Sequence, residues 1–262
     1  MKKIMSIASR VLAPALASIL LAGAACAAEV NVISSGGFTA AYRELTPEFE
    51  RATKHKVVTA YGASMGGAPD SIPSRLSRGE PADIVILAGP ALDELIKQGK
   101  VVAGSRVDLA RSSIGMAVRS GAPKPDISTV DALKRTLLES KSIAYSASAS
   151  GTYLSAELFP RLGIADQIRD KSQRIVSERV GTVVARGDAA LGFQQISELL
   201  PIAGIDYVGP LPAEVQQVTV FSAGIAAGAK ELDAARELLK FLASPAAAPV
   251  ITKSGMEPVT SK

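Results

Sequence analysis

The chain has 262 residues, of which 47% are apolar, 21% are charged and 4% are aromatic, and its formal net charge is +4. Without Lys2, Lys3 and Arg10, 26 of the 29 basic residues remain against 25 acidic ones, so the rest of the chain is nearly neutral. This balance argues against a nucleic-acid or anionic-membrane surface, and few aromatic residues argue against stacking on bases. A single cysteine and a single histidine argue against zinc, iron–sulfur and haem centres, so we expect no metal and no cofactor.

The N-terminus predicts export. A basic start is followed by an almost uncharged apolar run at 11–24 and then by Ala25-Cys26-Ala27, which supplies the small residues of a signal-peptide cleavage site. The apolar run is too short for a permanent membrane span. We therefore expect cleavage after Ala27 and a periplasmic mature protein, which loses the only cysteine with its signal peptide.

Strand-like and helix-like patterns alternate along the mature chain. Strands are predicted at 30–33, 56–61, 82–87, 114–118, 143–145, 174–177, 189–193 and 218–225. Helices are predicted at 38–49, 91–96, 130–138, 153–162 and 231–242. This alternation predicts an α/β protein with parallel sheets and helices on both faces. In such sheets, ligands bind at the carboxyl ends of strands.

Three predicted strand-to-helix loops are rich in serine and glycine, at 34–37, 62–67 and 146–152. Glycine lets backbone N–H groups approach a ligand, serine adds hydroxyl donors, and a helix N-terminus adds positive potential. Each loop alone also fits an ordinary capped turn, but three at equivalent positions predict an anion-binding cleft. The candidate ligand-binding residues in the loops are Ser34, Ser35, Gly36, Ser64, Ser148, Ser150, Gly151 and Thr152.

Several segments resemble the periplasmic molybdate-binding protein family: SSGGFT at 34–39, YGAS at 61–64, RGEPADIV at 78–85, 181–193, and FLASP at 241–245. The resemblance covers essentially the whole mature chain. It implies a two-lobed type II periplasmic-binding-protein fold of the α/β class, with a small anion closed between the lobes. After the predicted signal peptide at 1–27, it implies a first lobe at 28–111 plus 219–262 and a second lobe at 112–218. We expect a monomer.

The sequence departs from that family at its ligand contacts. Ser64 matches the second anion-binding serine of the family, but Gly37 stands in place of the first. Where the family has a tyrosine that contacts the oxyanion, this chain has Phe193-Gln194-Gln195. The amide of Gln194 and the nearby Arg75 suit a planar polycarboxylate, since arginine binds a carboxylate bidentately. These two residues complete the candidate ligand-binding set.

These departures, with the segments at 122–126 and 194–198, look closer to the aconitate isomerase branch of the family. That branch implies a tricarboxylate-binding isomerase that interconverts trans- and cis-aconitate by allylic proton transfer. The alternative is the substrate-binding component of an ABC transporter for molybdate-like oxyanions or organic acids, with a permease as partner. Such an isomerase needs an acid, a base and donors for developing charge. Glu178 and Tyr153 are the preferred catalytic residues, and Tyr145, Glu198 or a cleft lysine could also transfer the proton. Glu178 fits a charge at the start of a helix equally well.

Three further polar residues have a structural interpretation. His55 lies on the turn before a predicted strand and is expected to be solvated. Asp83 opens a predicted buried strand and is expected to serve packing or capping. Arg75 fits a solvated helix residue beside Arg78, as well as a ligand contact that faces Ser150 from the opposite lobe.

Overall fold

The computed structural model describes residues 27–259. The predicted signal peptide up to Cys26 lies outside the described residues. The strands of the first sheet are β1 (Glu29–Ser35), β2 (Lys56–Gly62), β3 (Ile84–Ala88), β4 (Val107–Ser112), β10 (Thr219–Ile225) and β11 (Glu257–Pro258). Those of the second sheet are β5 (Ile114–Arg119), β6 (Ile143–Ser146), β7 (Ser172–Ile175), β8 (Leu191–Gln195) and β9 (Ile205–Pro210). The strand orders are β11-β4-β10-β3-β1-β2 and β7-β6-β8-β5-β9.

Helices cover these sheets. They are α1 (Thr39–Thr53), α2 (Ile72–Ser77), α3 (Gly89–Lys97), α4 (Val130–Glu139), α5 (Ala149–Tyr153), α6 (Phe159–Arg161), α7 (Ala165–Ile168), α8 (Val180–Arg186), α9 (Ile196–Leu199), α10 (Leu232–Leu242) and α11 (Ala248–Lys253). A π-helical turn at Leu154–Leu158 joins α5 to α6. None of the helices within 27–259 combines the length and the apolar character that a membrane span requires.

The two sheets are mixed. β1 lies parallel to β2 and β3, whereas β10 is antiparallel to β3 and β4. β6 is parallel to β7 and β8, whereas β5 is antiparallel to β8 and β9. The α/β prediction is confirmed, but the prediction of purely parallel sheets is wrong. β5 and β10 are the first strands after the chain crosses from one sheet to the other, and each enters its new sheet against the direction of its neighbours.

Each lobe has its own apolar core. In the first, the periodic residues Phe38, Tyr42, Leu45 and Phe49 are at most 1% exposed and pack with α10 against the first sheet. Burying one such side chain stabilises the fold by about 1.5–3 kcal/mol. In the second, apolar residues of α4 and of the α5–α6 segment pack against the second sheet. The two cores pack against the strands whose carboxyl ends face the cleft.

Asp83 joins β3 to the segment before α10. Its carboxylate accepts hydrogen bonds from the backbone N–H groups of Asn31 at 2.7 Å, Lys230 at 2.6 Å and Glu231 at 3.0 Å. Burial alone would raise the pKa of Asp83, but these hydrogen bonds outweigh it and hold the pKa below its usual range. The expected capping and packing role is confirmed.

His55 is buried, at 8% exposure, so the prediction of a solvated turn residue is wrong. Its Nδ1 accepts a hydrogen bond from the backbone N–H of Ala28 at 3.0 Å, and its Nε2 lies 3.2 Å from Glu237 Oε2. The ring also packs beside Phe49. Its two hydrogen-bonding partners lie 27 and 182 positions away along the chain, so the local sequence around the turn does not reveal them.

Candidate functional site

A cleft of about 310 Å³ lies between the two sheets. β1 and β2 end at one edge of their sheet, with Ser35 beside Gly62. β6 and β7 likewise end together in the other sheet, with Ser146 beside Ile175. The loops after these strands, together with the end of β8, line the cleft. The site therefore lies at the carboxyl ends of the strands, where α/β proteins bind ligands.

All three Ser/Gly loops reach this cleft. Of the predicted ligand-binding residues, those that line it are Gly36, Ser64, Ser148, Ser150 and Gln194. Those outside the lining are Ser34, Ser35, Arg75, Gly151 and Thr152. Ligand contact by the first five stays a prediction.

The serines are held by bonds that leave hydrogen atoms for a ligand. Ser64 Oγ, 2% exposed, accepts from the backbone N–H of Ala88 at 3.0 Å, so its hydroxyl hydrogen remains for donation. Ser146 Oγ and Ser150 Oγ lie 3.1 Å apart, and one of the two hydroxyls donates to the other. Hydroxyl donors at Ser64 and at the Ser146–Ser150 pair suit an anion. Ser35 Oγ is buried outside the lining and has no hydrogen-bond partner within the described chain.

Two glycines of the first loop lie at close contacts. A methyl group at Gly36 would overlap Glu198 Oε1 of the other lobe, and one at Gly37 would overlap the ring of Phe221 on β10 of the same sheet. Ser197 Oγ also donates a hydrogen bond to the carbonyl oxygen of Gly37 at 2.7 Å. The first loop of one lobe thus contacts α9 of the other through Gly36 and Gly37.

Glu198 is the carboxyl group at this contact. It lines the cleft, is partly buried, and accepts a hydrogen bond from Gln194 Nε2 at 2.9 Å. Gln194 Oε1 in turn accepts from the backbone N–H of Val180 at 3.0 Å, which fixes the amide. Burial raises the pKa of Glu198 to about 7, although the charge of Arg179 and the Gln194 bond lower it. Near neutral pH, this group can both accept and donate a proton.

The two residues preferred from the sequence are engaged elsewhere. Glu178 lies at the cleft but is exposed, and Arg186 holds both of its oxygens, at 2.7 and 3.0 Å. These hydrogen bonds lower the pKa of Glu178. The Tyr153 hydroxyl donates to the carbonyl oxygen of Val215 at 2.8 Å, outside the cleft lining, and burial raises its pKa. The geometry favours Glu198 over both.

Tyr145 and the lysines of the described chain also lie apart from the cleft. The ring of Tyr145 packs edge-on against Phe159, with ring centroids 5.8 Å apart, and is not part of the lining. Within 27–259, no lysine lines the cleft. Of the side chains named from the sequence for proton transfer, Glu198 therefore has the most suitable position.

Two cleft arginines are absent from the sequence-based candidates, Arg43 and Arg179. The guanidinium carbon of Arg43 lies 4.9 Å from the ring centroid of Tyr61, and its Nε donates to the Tyr61 hydroxyl at 3.3 Å. Arg179 lies between β7 and α8 and is half-buried. Their positions in the sequence could have indicated them: Arg43 is on the first helix after a Ser/Gly loop, and Arg179 follows a predicted strand.

Arg75 braces the wall of the cleft and does not line it. Its Nε donates to the carbonyl oxygen of Asp70 at 3.0 Å, and its Nη2 to that of Tyr61 at 3.2 Å. Its Nη1 lies 2.6 Å from Glu80 Oε1. The expectation that Arg75 faces Ser150 across the cleft is wrong, because these three acceptors use its donors within its own lobe.

We expect Arg75→Ala to lower the free energy of unfolding by about 1–3 kcal/mol, because it leaves partly buried acceptors unpaired. Urea denaturation measures this, with the exposed Arg78→Ala as matched control, for which a change within about 0.5 kcal/mol is expected. Equal unfolding midpoints for the two variants would contradict the bracing role.

The chain is similar to known proteins over nearly its whole length. The family model for bacterial extracellular solute-binding protein matches residues 30–257. The chain is 49% identical over 247 residues to an aconitate isomerase from Pseudomonas sp., covering 94% of each chain. It is 31% identical to the molybdate-binding protein ModA of Azotobacter vinelandii, over 92% of this chain and 94% of that protein.

Among solved structures, the periplasmic molybdate-binding protein of Azotobacter vinelandii superposes with a TM-score of 0.71 at 22% identity, covering 89% of this chain and 100% of that one. This likeness confirms the two-lobed periplasmic-binding-protein fold. The resemblance drawn from the sequence motifs is confirmed as well. The chain belongs to the family of bacterial extracellular solute-binding proteins.

Proposed function

We propose that this protein is an isomerase that interconverts trans- and cis-aconitate in the cleft between its lobes. The 49% identity to an aconitate isomerase over 94% of both chains supports this proposal. The structural observation that carries it is Glu198, a carboxyl group with a pKa of about 7 in a cleft lined by anion donors.

The reaction is an allylic shift of one proton. The methylene group of aconitate lies beside both a carboxylate and the double bond, so its loss of a proton gives an anion delocalised over the allyl unit and its carboxylates. Ionised Glu198 takes this proton, which breaks one C–H bond and leaves the electron pair delocalised over the allyl unit. Protonated Glu198 then returns a proton to the former vinyl carbon, which forms the new C–H bond and leaves the double bond at its new position. General acid–base catalysis of this kind contributes about 10²- to 10⁴-fold to rate.

The negative charge on the intermediate is stabilised by hydrogen-bond donors that are already in position before the reaction. Hydroxyl and backbone N–H groups of the three Ser/Gly loops supply them at the ends of β1, β2 and β6. Fixed donors in a partly buried cleft stabilise developing charge more than water does. No electrons are transferred overall, so the reaction needs no electron-carrying cofactor.

We further propose that the lobes comprise 28–111 plus 219–262 and 112–218, and that the ligand closes them. The proposed compartment is the periplasm, reached through a signal peptide at 1–27, and the proposed state is a monomer. The crossings between the sheets, after β4 and after β9, support these lobe bounds. Membership of an extracellular solute-binding family supports export.

The alternative is a transport receptor for molybdate-like oxyanions or organic acids, working with an ABC permease. The 31% identity to a molybdate-binding protein favours it. Purified protein incubated with trans-aconitate separates the two: an isomerase forms cis-aconitate in proportion to protein concentration. A rise in melting temperature with molybdate that exceeds the rise with tricarboxylates, without product, would support the transport receptor.

A further inference from the structure

Two arginines face the cleft from opposite lobes. Arg43 belongs to α1, which packs on the first sheet, and Arg179 precedes α8, which packs on the second. Both also line a neighbouring depression of about 390 Å³. The pair therefore stands where the cleft meets this depression, with one cation on each side.

Neither arginine forms an ion pair within the part of the chain that the structure describes. Arg43 rests on the ring of Tyr61 and uses only Nε for a hydrogen bond, so its two terminal nitrogens remain for another partner. By contrast, Arg75 and Arg186 beside the same cleft are each paired with acidic residues.

Arg179 lies close enough to Glu198 for its charge to lower the pKa of that carboxyl group. A ligand carboxylate on Arg179 would therefore hold its neighbouring carbon near Glu198. The same guanidinium would then meet the negative charge that spreads into this carboxylate as the proton leaves. Arg43, held by Tyr61 on the other lobe, is positioned for a different carboxylate.

We infer that Arg43 and Arg179 form a two-sided clamp for a polycarboxylate, in which Arg179 binds a carboxylate on one of the two carbons that exchange the proton and Arg43 binds the carboxylate on the carbon between them. The inference rests on the proposed function and assigns its substrate contacts. An interaction that is equal in ground state and transition state changes KM, whereas one that strengthens with developing charge changes kcat. The two arginines should therefore differ in kinetics.

The binding test uses propane-1,2,3-tricarboxylate, a saturated analogue that has no double bond to shift. We expect calorimetric titration to show affinity reduced by roughly 10- to 100-fold in Arg43→Gln and in Arg179→Gln, since each loses a charge-assisted bond. Arg51→Gln in α1 and Arg135→Gln in α4 are matched controls, because both arginines are exposed and outside the cleft lining. Control affinities equal to wild type are expected.

The kinetic test uses trans-aconitate. Arg43→Gln should raise KM with kcat nearly unchanged, and Arg179→Gln should lower kcat. Arg179→Gln should also move the acidic limb of the pH–rate profile to higher pH, because the charge that lowers the Glu198 pKa is gone. Arg43→Lys and Arg179→Lys keep the charge and should recover part of the affinity.

The outcomes separate the clamp from the activity. If wild-type protein isomerises aconitate but folded Gln variants bind the analogue as tightly as wild type, the clamp is overturned. If wild-type protein binds the analogue through both arginines yet forms no product, the clamp stands as a binding site and the proposed isomerase activity fails. Unchanged melting temperatures without ligand verify that the variants are folded.

Discussion

Replacing Glu198 by glutamine is expected to lower kcat for trans-aconitate by about 100- to 10,000-fold, the usual contribution of a general acid–base. The amide keeps the shape of the side chain and its place beside Gln194, but it cannot carry a proton from one carbon to the other. Affinity for the saturated tricarboxylate should stay within a few-fold. Chromatographic rate measurements and calorimetry on the same preparations test both statements.

Glu178→Gln is the matched comparison, since it changes the other glutamate of the cleft lining. Arg186 already holds Glu178 as an exposed ion pair, so only a small loss of activity is expected. If Glu178→Gln were inactive and Glu198→Gln active, Glu178 would be identified as the base instead of Glu198.

The same variant should alter how stability depends on pH. The pKa of Glu198 is raised from 4.5 to about 7, so the folded state holds this proton more tightly than the unfolded state. The stabilisation is complete below about pH 4.5 and is lost as the pH rises through 7. As the pH rises from about 4.5 to 7, the free energy of unfolding of Glu198→Gln should increase relative to that of wild type by up to about 3 kcal/mol. Parallel urea titrations of both proteins at several pH values measure this difference.

The largest expected loss of stability belongs to Gly151→Ala, at about 2–4 kcal/mol. A methyl group at Gly151 would overlap the backbone carbonyl oxygen of Ser146, and backbone atoms cannot turn aside as a flexible side chain can. The loop that carries Ser148 and Ser150 would have to shift, so tricarboxylate affinity should fall as well.

Urea denaturation and calorimetry compare this variant with Gly67→Ala. A methyl group at Gly67 meets no atom within 4 Å, and the residue also lies in a cleft-side loop. A change within about 0.5 kcal/mol is expected for this control. Equal unfolding midpoints for the two variants would contradict the close packing around Gly151.

The strands that the sequence revealed are those with a strong local signal. β3 is buried along its whole length and reads as an unbroken apolar run. β4 and β9 were missed because their polar, glycine and proline residues interrupt the pattern, and β11 is only two residues long. The directions of β5 and β10 depend on where the chain crosses between lobes, and no short stretch of sequence reveals these crossings.

The residues of the candidate site likewise fall into those that the local sequence reveals and those that it does not. The Ser/Gly loops were predictable, because a loop at the end of a strand carries its donors in its own sequence. The importance of Glu198 was not, because its raised pKa depends on burial at a contact with Gly36, which lies 162 positions earlier in the chain. The prediction for Arg75 was wrong for a related reason. Its guanidinium group donates to the carbonyl oxygens of Tyr61 and Asp70, and the local sequence does not reveal these contacts.

The most direct test of the proposed activity approaches equilibrium from both sides. Purified protein is incubated with trans-aconitate in one series and with cis-aconitate in another, and both acids are quantified by chromatography over time. We expect the two series to converge on one ratio at rates proportional to protein concentration, and Glu198→Gln to leave both acids nearly unchanged. Wild-type protein that is stabilised by a tricarboxylate yet converts neither acid would contradict the proposed isomerase activity.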